Sequence, residues 1–143
     1  MNVKMLIVDD EDKVRDMLQR YFRSLGCEVD TAPNGRVALD LIGRVRYDIL
    51  ISDIMMPELD GVDLLRAVRQ FHPYLHAIMM TGYVKQENVL ACMRLGADNC
   101  VFKPLTDLTE LRESVEDAVR LINRWRAKLA YLRTLKPDGE NAP

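Results

Sequence analysis

Short apolar runs alternate with helical segments five times along this chain, joined by short links. Val3 to Val8 is strand-like and stops at the acids Asp9 to Asp12; Val14, Met17, Leu18, Tyr21, Phe22 and Leu25 then recur at helical spacing up to Gly26. Glu28 to Ala32 is a second strand, and Asn34-Gly35 opens a helix with Val37, Ala38, Leu41 and Ile42 on its inner stripe. Tyr47 to Ser52 is apolar on both faces, as a central parallel strand must be. Leu64, Leu65 and Val68 mark a third helix that stops before His72-Pro73. Ala77 to Met80 is the fourth strand, followed by a helix through Val89, Ala91, Cys92 and Leu95 that closes at Gly96. Cys100 to Phe102 is the fifth strand, and a long helix runs from about Leu108 to about Leu135.

Five strand-helix repeats fold most economically as a doubly wound α/β domain, because each crossover must be right-handed and must cover the sheet. Ligands of such sheets sit beyond the carboxyl ends of the strands, where strand order reverses. That rule selects Asp9 and Asp10 after strand one, Asp53 after strand three, Thr81 after strand four and Lys103 after strand five. His72 and His76 precede strand four, away from that edge, and read as ordinary surface or strand-start residues.

A length of 143 residues fits one core, and a net charge of -2 implies neither disorder nor a polyanion-binding surface overall. Cys27, Cys92 and Cys100 form no metal-ligand pattern and read as small buried hydrophobes in a reducing cytoplasm. Acids arrive at position 9, too early for a secretory signal, and no window approaches the roughly 20 apolar residues of a membrane span. A soluble intracellular protein is the expectation.

Three carboxylates at one sheet edge repel one another and stay ionised only if cations compensate. Mg²⁺ suits an oxygen-only donor set and is commonly held by one or two carboxylates with waters and phosphate oxygens. Lys103 adds a movable point charge suited to phosphate, and Thr81 a hydroxyl donor, with Gly82 leaving room beside it. The set lacks an anion of its own, so the fitting ligand is a phosphoryl group, either bound as phosphate or carried on a side chain. Covalent attachment is the sharper reading, since Asp53 is a central carboxylate and aspartate is an established phosphoryl acceptor. Weighed singly, Asp9 to Asp12 could be no more than first-turn capping, and Asp60-Gly61 reads as the turn that starts the third helix. Met55 and Met56 read as loop packing.

The motifs LIVDDE at 6–11, DIMMPELDG at 53–61, MTGY at 80–83 and GADNCVFKP at 96–104 resemble, in order and spacing, the receiver domain of bacterial two-component response regulators, of the chemotaxis-regulator-like kind. The resemblance covers Val3 to about Asn123 and implies a flavodoxin-like sheet in the order 2-1-3-4-5. It makes Asp53 the phosphoacceptor, fed by a histidine kinase or phosphotransfer protein. Asp9, Asp10, Asp53 and the backbone carbonyl of Met55 become the Mg²⁺ ligands. Thr81 takes the role of the switch hydroxyl and Lys103 that of its cationic partner, with a cis bond before Pro104. The switching face is the fourth helix, fifth strand and fifth helix, which meets a downstream protein target.

Two departures stand out. Cys100 occupies the place where the family commonly has an aromatic that swings with the Thr81 hydroxyl, so an aromatic-coupled switch is not expected; Phe102 is expected in the core instead. Met55 and Tyr83 resemble the positions lining the path of the hydrolytic water, and their bulk predicts a long-lived phosphoaspartate.

The last helix is longer than the fold needs. Leu108, Leu111, Val115, Ala118, Ile122, Trp125, Leu129 and Leu132 alternate three and four apart, the spacing of a coiled-coil seam. We expect a receiver over 1–123, a helical extension over 124–136 that folds back, forms a homodimer or links to a further output domain, and a flexible tail over 137–143. The extension is basic, but without a second reading element nucleic-acid binding is not expected. The main rival function is a Mg²⁺-dependent phosphatase with an aspartate nucleophile, but that class usually carries a general-acid Asp where this chain has Met55.

Overall fold

The computed structural model describes residues 1–83 and 85–135. Ten elements alternate along the chain: β1 (Lys4–Val8), α1 (Asp12–Ser24), β2 (Glu28–Ala32), α2 (Gly35–Arg44), β3 (Ile49–Asp53), α3 (Gly61–Phe71), β4 (His76–Thr81), α4 (Gln86–Arg94), β5 (Asn99–Phe102) and α5 (Thr109–Thr134). All strand pairs are parallel, and the sheet order is β2-β1-β3-β4-β5, as expected. The tail expected over 137–143 lies outside the described residues.

Strand alternation builds two cores. Met5, Ile7, Ile49, Ile51, Ile78, Met80 and Val101 face one way and are covered by Leu18 and Phe22 of α1 and by Leu111, Val115 and Ala118 of α5. On the other face Leu6, Val8 and Leu50 meet α2 and α3 through Ala38, Ile42, Leu64 and Val68. Ala77 and Met79 meet Leu65 and Cys92 on that same side, with Cys100 packed at the margin of the cluster. No helix among the described residues is long and apolar enough to cross a membrane.

Two sequence expectations shift. β3 begins at Ile49 rather than Tyr47 because Asp48 is used as a clasp: its backbone N–H donates to Lys4 O at 2.8 Å and its carboxylate accepts the Lys4 N–H at 2.9 Å. Phe102, expected in the core, is 51% exposed. It shares a strand face with Cys100, but α4 begins only at Gln86 and spans nine residues, so that end of the face lacks cover.

The register sets the site. Asp53 pairs with Met80 and Thr81 with Phe102, which brings the carboxyl ends of β1, β3, β4 and β5 to one edge. α3 starts directly against that edge. A Cβ on Gly61 would lie 2.2 Å from the backbone oxygen of Asp53 and 2.8 Å from Ile54 Cα, so only glycine permits this approach. Asp60 caps the helix by accepting the Asp63 N–H at 2.8 Å.

At an open helix position a glycine-to-alanine change stabilises by about 1 kcal/mol. Gly61→Ala should have the opposite sign and cost on the order of 2–3 kcal/mol, because the blocking atoms are backbone. Urea unfolding with an unchanged slope and a lower midpoint is the expected result.

Candidate functional site

Four loops place their functional groups at the edge formed by the strand ends. Asp9 and Asp53 are buried, and Asp10 is exposed. Each of the three offers a carboxylate oxygen within 4.8 Å of the others. Lys103, just beyond β5, reaches back across them: Nζ donates to Asp9 Oδ2 at 2.8 Å and to Asp53 Oδ2 at 3.1 Å. These partners are 94 and 50 residues away in sequence. The Lys103-Pro104 peptide bond is cis, as the resemblance implied.

Local bonds fix the acids. Asp9 Oδ1 accepts the Glu11 N–H at 2.9 Å, and the Arg15 guanidinium donates to Asp9 O at 2.7 Å. Asp53 Oδ1 lies 3.4 Å from the Met55 N–H, a long contact that leaves this oxygen available to a further partner. The Met55 backbone thus sits beside the Asp53 carboxylate, while its side chain is exposed, as is that of Tyr83. Met56, by contrast, is core, packed with Leu64 and Val68.

Thr81 is fully buried, yet its hydroxyl serves its own loop. Oγ1 donates to Tyr83 O at 2.9 Å and accepts the Tyr83 N–H at 3.1 Å. Cys100 is half-buried, a small side chain beside Cys92. His76 starts β4 with Nδ1 2.7 Å from Asp98 Oδ2, away from the site, as expected.

Burial pushes the Asp53 carboxyl above its usual range, opposed by the hydrogen bond and charge of Lys103 and assisted by the charge of Asp9. For Lys103 burial is the largest single influence and acts downward. The hydrogen bonds and charges of Asp9 and Asp53 together outweigh it, so the ammonium is held above its ordinary value. The pocket therefore favours an added cation near the acids. An all-oxygen donor set, with two buried carboxylates and one facing solvent, fits a hard divalent ion that keeps part of its water shell.

Two features escaped sequence reading. Glu11, 3.6 Å from Lys103 Nζ, adds a third acid around the ammonium; it lay in the acidic run but had no separate signal. Gly61 reads in sequence as the second half of an Asp-Gly turn, and only the packing of α3 on Asp53 reveals its second task.

A response regulator receiver domain model matches residues 5–116. The chain belongs to the receiver domain family of response regulators and is a phosphoacceptor module of two-component signalling. It is 42% identical over 118 residues to the regulatory protein AtoC of Escherichia coli, covering 82% of this chain and 25% of AtoC. Sporulation initiation phosphotransferase F of Bacillus subtilis is 33% identical over 116 residues, covering 81% of this chain and 93% of that protein. The response regulator TrrA of Thermotoga maritima, solved in complex with Mg²⁺-BeF, superposes with a TM-score of 0.74 at 32% identity over 81% of this chain and 98% of TrrA. The chain spans about a quarter of the length of AtoC and of PilR from Pseudomonas aeruginosa. Receiver domains bind Mg²⁺ at their acidic pocket, and the cluster of Asp9, Asp10 and Asp53 is of that kind.

Because the raised Asp53 pKa means that folding disfavours its charged form, ionised Asp53 subtracts stability once the pH lies above that raised value; the cost vanishes below the ordinary carboxylate range. Asp53→Asn should therefore raise the melting temperature by a few degrees at neutral pH, with Lys103 still held by Asp9, and the gap should close in acid. Mg²⁺ should stabilise the parent protein and stabilise the variant less, read as thermal shifts against metal concentration.

Proposed function

We propose that Asp53 is the phosphoacceptor and that the phosphoryl group comes from the phosphohistidine of a histidine kinase or phosphotransfer protein. The observation that carries this reading is the position of Lys103 Nζ, within hydrogen-bond reach of both Asp9 and Asp53 at the converging strand ends. Asp9, Asp10, Asp53 and the backbone carbonyl of Met55 would hold Mg²⁺, which supplies positive charge for the equatorial phosphoryl oxygens. An Asp53 carboxylate oxygen forms the new O–P bond while the P–N bond to the donor imidazole breaks, and the electron pair leaves with the imidazole nitrogen. The nucleophile is already ionised, so no general base is required. Lys103 exchanges its Asp53 contact for a phosphoryl oxygen and keeps its bond to Asp9, so its positive charge stays within the reacting group's reach.

Thr81 couples the modification to the surface. Its hydroxyl leaves the Tyr83 backbone to donate to a phosphoryl oxygen, which releases the loop ahead of α4 and shifts the face formed by α4, β5 and α5. Cys100 is small enough to follow this repacking without the rotamer change an aromatic would need. A downstream protein reads that face, in a cytoplasmic setting shared with the kinase. Residues 1–123 are the receiver unit and 124–136 its extension, helical through Thr134, in a regulator that works alone or with a separate output domain. No external ester is turned over.

Incubating the chain with a small phosphodonor and Mg²⁺ should add about 80 Da to the intact mass. Asp53→Asn should abolish the gain, Lys103→Met should slow it on the order of a hundredfold, and chelation of Mg²⁺ should prevent it. Turnover of an external phosphate ester without mass gain would instead mark a phosphatase.

The bulk of Met55 and Tyr83, rather than their burial, supports a long-lived phosphoaspartate, since neither side chain orients a water as an acid or amide does. Replacing them together by Asn and Glu should speed dephosphorylation on the order of tenfold or more in a phosphate-release assay. An unchanged rate would remove this reading of the two residues.

A further inference from the structure

α5 carries two environments on one stripe. Through Leu111, Val115 and Ala118 the stripe is core, and Ile122 packs at its margin. The same three-four spacing then continues into solvent: Trp125 is 63% exposed, Leu129 52% and Leu132 59%. The projecting half does not fold back. Arg126 fixes its base, donating to Asn2 O at 2.7 Å and lying 3.2 Å from Asp48, and from there the helix runs unbroken to Thr134.

Charge along the chain is segregated. Residues 1–123 carry 15 Lys and Arg against 20 Asp and Glu, whereas 124–136 carry five basic residues and no acid. With Ile122 and Leu129 at a and Trp125 and Leu132 at d, Arg126 and Arg133 fall at e and Lys128 at g, the positions that flank a seam and select its partner. A second copy aligned in parallel would set Lys128 against Arg133, and an antiparallel copy would bring two wholly basic segments together. The seam is therefore ill suited to self-pairing, the homodimer that the spacing left open as one of its alternatives. Beyond the seam Leu121, Tyr131 and Leu135 are also exposed, but Lys128 stands between Leu121 and Leu135 on the helix surface, so charge interrupts the apolar side where a membrane-surface helix presents a continuous apolar face. A nucleic-acid backbone would have no use for Trp125, Leu129 and Leu132 between the charges.

We infer that the projecting half of α5 is a docking site for an acidic amphipathic helix of another protein, whose apolar seam covers Trp125, Leu129 and Leu132 and whose carboxylates lie beside Lys128 and Arg133. About two heptads are available, so the contact belongs with small, transient and salt-sensitive interfaces. This inference does not depend on the chemistry at Asp53.

The full chain contains one tryptophan, Trp125, so its fluorescence reports the seam directly. The probe is a synthetic four-heptad peptide with Ile at a, Leu at d and Glu at e and g. Titration should give a saturable blue shift, with affinity falling on the order of tenfold between low and high salt. A matching peptide with Lys at e and g should give no shift. The double variant Lys128→Glu with Arg133→Glu, both exposed and so compatible with the fold by circular dichroism, should reverse that preference. The inference is overturned by no shift with the acidic peptide or by equal binding of both peptides. It is also overturned if light scattering finds the chain dimeric with Trp125 already blue-shifted, or if anionic phosphatidylserine vesicles or duplex DNA shift Trp125 while the acidic peptide does not.

Discussion

One ammonium group holds the functional edge together. Asp9 and Asp53 sit almost without solvent at the ends of neighbouring strands, where two unbalanced carboxylates would be driven toward neutrality. Lys103 supplies the balance from the far side of the sheet. Such a contact requires β5 to lie beside β4, β4 beside β3 and β3 beside β1, so the pocket and the strand order are one constraint seen twice. The same partial balance makes the site chemically useful. Among the described residues Lys103 is the one cation paired with the carboxylates of Asp9, Asp53 and the nearby Glu11, which leaves the pocket short of positive charge and receptive to a divalent ion.

Much of this was legible in the sequence for a simple reason. Parallel strands buried on both faces read as continuous apolar runs, and polar residues that interrupt them can stand only at their ends. Asp9, Asp53, Thr81 and Lys103 were thus locatable from the boundaries of the runs alone. Strand order was a different matter, since it came from resemblance; no local pattern states which runs are neighbours.

What stayed hidden depends on packing between separated elements. Nothing near Phe102 announces that α4 starts too late to cover it. The clasp of Asp48 on Lys4, which delays β3 until Ile49, joins residues 44 apart. Gly61 looks like half of a turn until α3 is set against the Asp53 carbonyl. Position alone puts Thr81 at the end of β4, but the engagement of its hydroxyl with the Tyr83 backbone is a matter of loop conformation that residue type does not encode.

The unbroken course of α5 has a mechanical side. Its first half is wedged under the sheet by Leu111 and Val115, its base is pinned at Arg126, and it carries no proline or glycine between Thr109 and Thr134. A rod of this kind cannot absorb a small reorientation by bending. From Arg126 to Thr134 the rod extends roughly 12 Å at 1.5 Å per residue, so a tilt of about ten degrees at the pin sweeps its free end sideways by about 2 Å. Displacements too slight to notice beside the sheet are thereby enlarged at the tip, and the helix acts as a pointer whose reading any attached partner would feel.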